Sequence, residues 1–244
     1  MNLLFLTGMP RAGNTIFSVI LNSNKNIKVS ANSILPDILY YLNNLKNSSE
    51  IYNNFPDEKS LNNIIYNLFN NYYSDWNSEY IIDRGPWGVP ENLTMLKSII
   101  KKPKFIILYR SVLECLASFI KLEKPFDIER RCAQLMDPTS EGNIIYKYYT
   151  SINNIIKQKE EHIFINYSDF VVDTKKVLKS LSKFIGTEIL IPNKLNQFKL
   201  NGISYDDSIY HFNLHEIRTN NISQKKYLIE EILPLSVIKK YEKF

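Results

Sequence analysis

The residues best suited to chemistry stand in one short run, Gly8-Met9-Pro10-Arg11-Ala12-Gly13-Asn14-Thr15. An apolar stretch, Leu3 to Leu6, leads into it, and Ile16, Phe17, Val19, Ile20 and Leu21 follow with helical spacing. The order predicts a buried strand, a tight turn, and a helix whose first N–H groups have no partner within the helix. Those groups and the helix dipole attract an anion. Gly8 and Gly13 let the backbone turn tightly and approach a ligand closely. Arg11 brings a fixed cation, and Asn14 and Thr15 bring side-chain donors. The spacing nearly fits the phosphate-loop pattern GxxxxGK[ST]: Gly8, Gly13 and Thr15 match, but Asn14 stands where the lysine belongs. That lysine contacts the phosphates of a nucleoside triphosphate, so its absence argues against ATP or GTP as the ligand.

Three further groups carry polar chemistry. Tyr80 to Ile82 reads as a short strand ending in Asp83-Arg84-Gly85-Pro86-Trp87-Gly88. Charged residues at the C-terminal end of a strand, followed by a turn, are where α/β sheets hold their chemistry. Lys104 to Tyr109 is a near-continuous apolar run, the mark of a central parallel strand, and it ends in Arg110. A helical pattern follows, with Ser118 eight residues beyond Arg110, about two turns into the helix. His162 to Tyr167 reads as another strand, with Asp169 two residues beyond it. A polar, turn-rich stretch near the C-terminus holds His215 and Arg218.

These groups need a frame. Leu61, Ile64, Ile65, Leu68, Phe69 and Tyr72 predict an amphipathic helix, as do Ile144, Ile145, Tyr148, Tyr149, Ile152, Ile155 and Ile156. Val177, Leu178, Leu181, Phe184 and Ile185 form a third stripe, with Asp173 as its N-cap and Gly186 as its stop. Ile27 to Ser30 is a short strand, and a helix begins near Pro36. Residues 46–57 are polar and read as a surface loop, and 125–138 as a loop with a short helix. No internal repeat or linker is visible, so residues 1–244 read as one domain.

The loop Pro10-Arg11-Ala12-Gly13-Asn14-Thr15, the Arg110–Ser118 pair, the Tyr167–Asp169 string and the closing Arg218 segment occur in that order. Together they resemble the sulfotransferases that use 3′-phosphoadenosine 5′-phosphosulfate (PAPS). The resemblance implies an α/β fold, a parallel β-sheet flanked by helices of the P-loop NTPase-like kind. It implies that Arg11, Ala12, Gly13, Asn14 and Thr15 grip the 5′-phosphosulfate and that Arg110 and Ser118 bind the 3′-phosphate. Tyr167 would lie near the adenine, and Arg218, with His215 beside it, would fold back onto the 3′-phosphate. The implied reaction moves a sulfuryl group from PAPS to an acceptor hydroxyl or amine and leaves 3′-phosphoadenosine 5′-phosphate (PAP).

The chain also departs from that family. Arg84 stands where many members have a lysine; it keeps the charge but cannot give up a proton, so with Arg11 it would act by electrostatics. The usual histidine base falls at Pro86, and the glutamate of the tyrosylprotein type falls at Asn32 and Ser33. Asp83 is the first candidate for the general base and Asp37 the second. Trp76, Trp87 and Phe126 are candidate walls of the acceptor pocket. Two alternatives remain open: a small-molecule kinase on the same fold, and a non-catalytic PAPS- or PAP-binding protein. The acceptor and the oligomeric state are not readable.

Composition bounds the rest. A chain of 244 residues can bury a substantial core. Its 30 Lys and Arg against 25 Asp and Glu give a net charge of +5, which suits an anionic ligand but is too mild and dispersed for nucleic acid. The three histidines have no ligand spacing with cysteines or carboxylates, so no metal site is expected. Cys115 and Cys132 read as buried free thiols of a reducing compartment, with a disulfide between them as the alternative. The apolar stretch at the N-terminus is far shorter than a membrane span. The sequence therefore predicts a cytoplasmic protein with no membrane anchor.

Overall fold

The computed structural model describes residues 2–210, 212–217, 222 and 228–244. Its centre is a sheet of five strands: β1 (Asn2–Gly8), β2 (Ile27–Val29), β3 (Tyr80–Arg84), β4 (Lys104–Tyr109) and β5 (Glu161–Asn166). All pairings are parallel, in the order β2-β3-β1-β4-β5. The runs that read as apolar in sequence are buried along their centres. Phe5 and Leu6 of β1 and Phe105 to Leu108 of β4 have no exposed surface, as a sheet covered on both faces requires.

Helices supply the cover. On the N-terminal half lie α1 (Asn14–Asn22), α2 (Leu35–Ser48), α3 (Glu50–Asn54), α4 (Glu58–Tyr72) and α5 (Pro90–Ile99). Then come α6 (Val112–Glu123), α7 (Ile128–Met136), α8 (Ile144–Lys157), α9 (Tyr167–Val172) and α10 (Thr174–Ile185). The C-terminal part carries a two-residue hairpin, β6 (Lys199–Leu200) with β7 (Ile203–Ser204), and two short helices, α11 (Ile229–Ile232) and α12 (Leu235–Tyr241). No described helix is long and apolar enough to cross a membrane. Both cysteines are buried free thiols.

Two elements differ from their sequence reading. The polar stretch 46–57 is mostly helical: α2 runs to Ser48, and Ser49 caps α3 by accepting from the Tyr52 N–H. α3 buries no residue, so it shows no apolar period to read. The strand expected at 80–82 continues through Asp83 and Arg84, which pair with Phe5 and Leu6 of β1.

The strand order sets the place of the site. From β1 the chain crosses to β2 on one side; from β4 it crosses to β5 on the other. The C-terminal ends of β1 and β4, side by side, form the switch point where open α/β sheets bind their ligands. The β1 loop is fastened there, since the Met9 N–H donates to the Leu108 carbonyl at 2.8 Å.

Candidate functional site

The loop after β1 owes its shape to two residues in left-handed conformation, Arg11 at φ 66° and Gly13 at φ 79°. Glycine adopts that region without strain, whereas arginine does so at a cost, as side chains at functional turns often do. Gly13 is also the N-cap of α1, whose first turn has no acidic residue. Gly8 is needed for a different reason: a Cβ there would lie 1.9 Å from Asn14 Oδ1. The Asn14 side chain is turned into the loop, where Nδ2 donates to the Met9 carbonyl at 2.8 Å. Asn14 thus braces the turn, and its side-chain donor does not face the cavity as its sequence position suggests.

Arg110 follows β4 and is 3% exposed. Its Nη1 donates to the Arg11 carbonyl at 2.7 Å, and its guanidinium lies 4.3 Å from the centre of the Tyr167 ring. Ser111 caps α6 by accepting from the Glu114 N–H, which brings Glu114 within 3.8 Å of Arg110 Nε. Further along α6, the Ser118 hydroxyl accepts from Arg11 Nε at 3.2 Å. Arg11 and the Arg110–Ser118 pair, 99 and 107 residues apart, are therefore one bonded cluster. Tyr167 closes its side: a Cβ on Gly13 would come within 3.4 Å of the ring.

On the other flank, Arg84 leaves β3 with Nη1 donating to the Ala31 carbonyl at 2.7 Å and to the Tyr205 hydroxyl at 2.8 Å. Its Nε is buried and makes no hydrogen bond among the described residues. Neighbours on a strand point to opposite faces, and Asp83 does so. It has no exposed surface and accepts from Tyr73 at 2.6 Å, Ser33 at 2.9 Å and Trp87 Nε1 at 3.0 Å. Burial raises its pKa to about 6, although all three donors pull it down. The Tyr73 phenol is raised in turn by burial and by the Asp83 charge. The turn after β3 is locked onto α8, where Gly88 N–H donates to Ser151 Oγ at 2.8 Å and Asn154 Nδ2 to the Gly88 carbonyl at 2.9 Å.

The segment 212–217 covers the cluster. Arg11 Nη1 donates to the Leu214 carbonyl at 2.9 Å, and Gln197 holds Ile217 by two hydrogen bonds. His215 Nδ1 lies 2.6 Å from Asp207 Oδ1, and its ring is stacked on Tyr205 at 3.8 Å between centres. These parts surround a cavity of about 230 Å³ lined by Arg11, Gly13, Asn14, Thr15, Arg84, Arg110, Ser118, Tyr167 and His215, among others. Three guanidinium groups, a helix N-terminus and a buried hydroxyl form a donor set suited to a ligand with two separate anionic groups.

Several sequence expectations change here. Asp83 does not line the cavity, because its carboxylate is fully buried and enclosed among Tyr73, Ser33 and Trp87. Ala12 is buried and spends its N–H on the Met9 carbonyl, so it offers the cavity no donor. Trp87 packs in the core, 5.1 Å from Phe5, and Trp76 meets Tyr73 edge to face at 4.5 Å. Phe126 is fully exposed. None of these three rings lines the cavity; Phe119, Tyr148 and Tyr210 do. Asp37 is exposed on α2 and is likewise not a lining residue. Arg218 lies outside the described residues. Sequence reading missed Asp207, Tyr205 and Tyr73. For Asp83 a signal existed, since the period of two cannot place both it and Arg84 in the cleft.

A model of the sulfotransferase family matches residues 4–190. Among solved structures, the sulfotransferase domain from the Synechococcus PCC 7002 olefin synthase is 18% identical with a TM-score of 0.59, covering 99% of this chain and 94% of that one. The sulfotransferase domain from the curacin biosynthetic pathway is 14% identical with a TM-score of 0.55, covering 99% and 97%. A sulfotransferase from Alicyclobacillus acidocaldarius is 13% identical with a TM-score of 0.54, covering 78% and 83%. No curated protein matches the chain. At these identities the likeness is one of fold: a parallel sheet flanked by helices, of the P-loop-like kind.

Proposed function

Because the chain belongs to the sulfotransferase family, we propose that it transfers a sulfuryl group from PAPS to an acceptor hydroxyl or amine, as one domain. The observation that carries this reading is the bonded cluster of Arg11, Arg110 and Ser118 at the switch point of the sheet. It brings the loop that would hold the 5′ end of the nucleotide beside the pair that would hold its 3′-phosphate. PAPS supplies an activated sulfuryl group on a phosphate leaving group.

The protein's share is positioning and charge. Gly13 and Thr15 present the helix N-terminus, and Arg11 stands over it. Arg110 and Ser118 fix the other phosphate, with Tyr167 stacked under the guanidinium. Arg84, whose Nε is buried without a partner among the described residues, adds positive charge from the opposite wall. Asp83 acts by anchoring the end of β3 through Tyr73, Ser33 and Trp87, and so aims Arg84. The chain has no lysine at the position that serves nucleoside triphosphates, and Asn14 is occupied in bracing the loop; both favour PAPS over ATP.

The test is transfer itself. Sulfur-35-labelled PAPS is incubated with the protein and a panel of hydroxyl and amine acceptors, and labelled product is read. Transfer that Arg11→Ala abolishes is expected. Transfer that survives this substitution undiminished removes the assignment of the loop.

A further inference from the structure

We propose that His215, oriented by Asp207, is the general base that removes the acceptor's proton; this deepens the sulfotransferase reading and rests on it. Both atoms of the Asp207 carboxylate are committed to His215. Oδ2 accepts the backbone N–H at 2.7 Å, and Oδ1 lies 2.6 Å from ring Nδ1. A carboxylate can only accept, so Nδ1 carries the hydrogen, and in the neutral ring Nε2 keeps its lone pair.

The ring is fixed as well as polarised. It lies flat on Tyr205, with an interplanar angle of 2°. The Tyr205 hydroxyl donates to the Ala31 carbonyl at 3.0 Å and accepts from Arg84. Leu214, the residue before His215, holds Arg11 through its carbonyl. His215 therefore stands in the wall of the cavity between the two arginines that would carry the transferring group.

The surroundings keep the ring ready to accept a proton. Burial lowers the pKa of His215 below its ordinary value, the Asp207 bond raises it, and the charges of Arg84 and Arg11 lower it again. Burial pushes Asp207 up, but its bonds from His215, with the Leu214 backbone, outweigh this and hold it below the usual carboxylate value. Among the described residues, the other titratable groups around the ring are Tyr205, Tyr210 and the neighbouring Glu216.

In the step itself, the acceptor O–H proton passes to His215 Nε2 while the acceptor oxygen forms its bond to sulfur. The bond from sulfur to the 5′-phosphate oxygen breaks, and its electron pair leaves with the phosphate. The products are the sulfated acceptor, PAP and an imidazolium, which returns its proton to solvent. Asp207 is a positioning residue: it fixes the tautomer and steadies the imidazolium.

The test joins nitrogen-15 NMR of the histidine rings with turnover of PAPS in water, where water is the acceptor. The chain has three histidines, so single variants assign every ring signal. His215 is expected as the Nδ1–H tautomer at pH 7.5, titrating below an ordinary histidine, with its signals moved by PAP. His215→Asn, which keeps a donor toward Asp207, and His215→Gln should each lower PAP formation about 10²- to 10⁴-fold. PAP affinity by calorimetry should stay within about threefold. Asp207→Asn should shift the ring signals and lower kcat while KM for PAPS holds.

A His215 that carries its proton on Nε2, or is imidazolium at pH 7.5, overturns the proposal whether or not turnover is seen. So does a loss of PAP affinity in both His215 variants, which would make the residue a phosphate ligand. Loss of turnover in Glu216→Gln with His215→Asn unaffected would move the base to Glu216. Failure of the wild type to bind PAP removes the sulfotransferase reading instead, and the NMR still reports on the dyad.

Discussion

Asp83→Asn separates an anchoring carboxylate from a catalytic one. In the wild type, burial outweighs three hydrogen bonds and raises this carboxyl from 3.8 to about 6. Between those two values the native state binds a proton that the unfolded chain has released, so stability falls as pH rises through that window. At 1.36 kcal/mol per pH unit the interval is worth about 3 kcal/mol, fully present below pH 4 and lost by about pH 7. That is a large part of the ~5–15 kcal/mol that holds a typical protein folded.

Asparagine does not titrate, and it can be accommodated. Its amide oxygen can serve Trp87 Nε1, which only donates, while its NH₂ faces the hydroxyls of Tyr73 and Ser33, which can turn to accept. Urea unfolding of both proteins from pH 4 to pH 7.5 reads the difference. The variant is expected to be the less stable of the two at pH 4 and to gain on the wild type by about 3 kcal/mol by pH 7.5. PAP affinity and PAPS turnover should persist. Parallel pH profiles would refute the buried, raised carboxyl. Turnover abolished in a folded variant with normal PAP affinity would restore Asp83 as the base.

Two further substitutions probe the loop. Gly8→Ala places a Cβ 1.9 Å from Asn14 Oδ1, so it should break the Asn14–Met9 bond and cost about 1–3 kcal/mol in urea unfolding, with PAP affinity reduced more than about tenfold. An unchanged loop would show that Asn14 does not brace it. Ser118→Ala removes the hydroxyl that accepts from Arg11 and should weaken PAP by about 10- to 100-fold, the worth of a hydrogen bond to a charged group, leaving kcat in water little changed. Equal PAP affinity would take Ser118 out of the phosphate site.

The fold was legible wherever burial writes a pattern into the chain. Lys104 to Tyr109 is a strand whose centre is buried, and it reads as a near-continuous apolar run. Leu61 to Tyr72 repeats with helical spacing and forms α4. The Arg110–Ser118 offset survives because it is local, one strand end and two helical turns. What was hidden is what depends on folding at a distance. Asp207 and His215 are eight residues apart in a polar stretch with no period, and only the return of 212–217 over Arg11 gives them a task. Trp87 follows a Gly-Pro turn and reads as a wall of the acceptor pocket, yet it packs in the core against Phe5 and Phe69. α3 was invisible because it buries no residue, and its apolar side chain Ile51 is exposed, so no apolar period marks it.

The central claim is that this cleft is built for a nucleotide with a 3′-phosphate. Calorimetric titration of wild type and Arg110→Ala with PAP, beside ATP with magnesium, tests it most directly. Arg110 is buried, bonded to Arg11 and stacked on Tyr167, and truncating a buried charged partner costs about 2–5 kcal/mol, at least a thirtyfold loss. The account predicts micromolar or tighter PAP binding, weak ATP binding, and that loss in the variant. ATP binding better than PAP, or PAP binding equally well to both proteins, would contradict it.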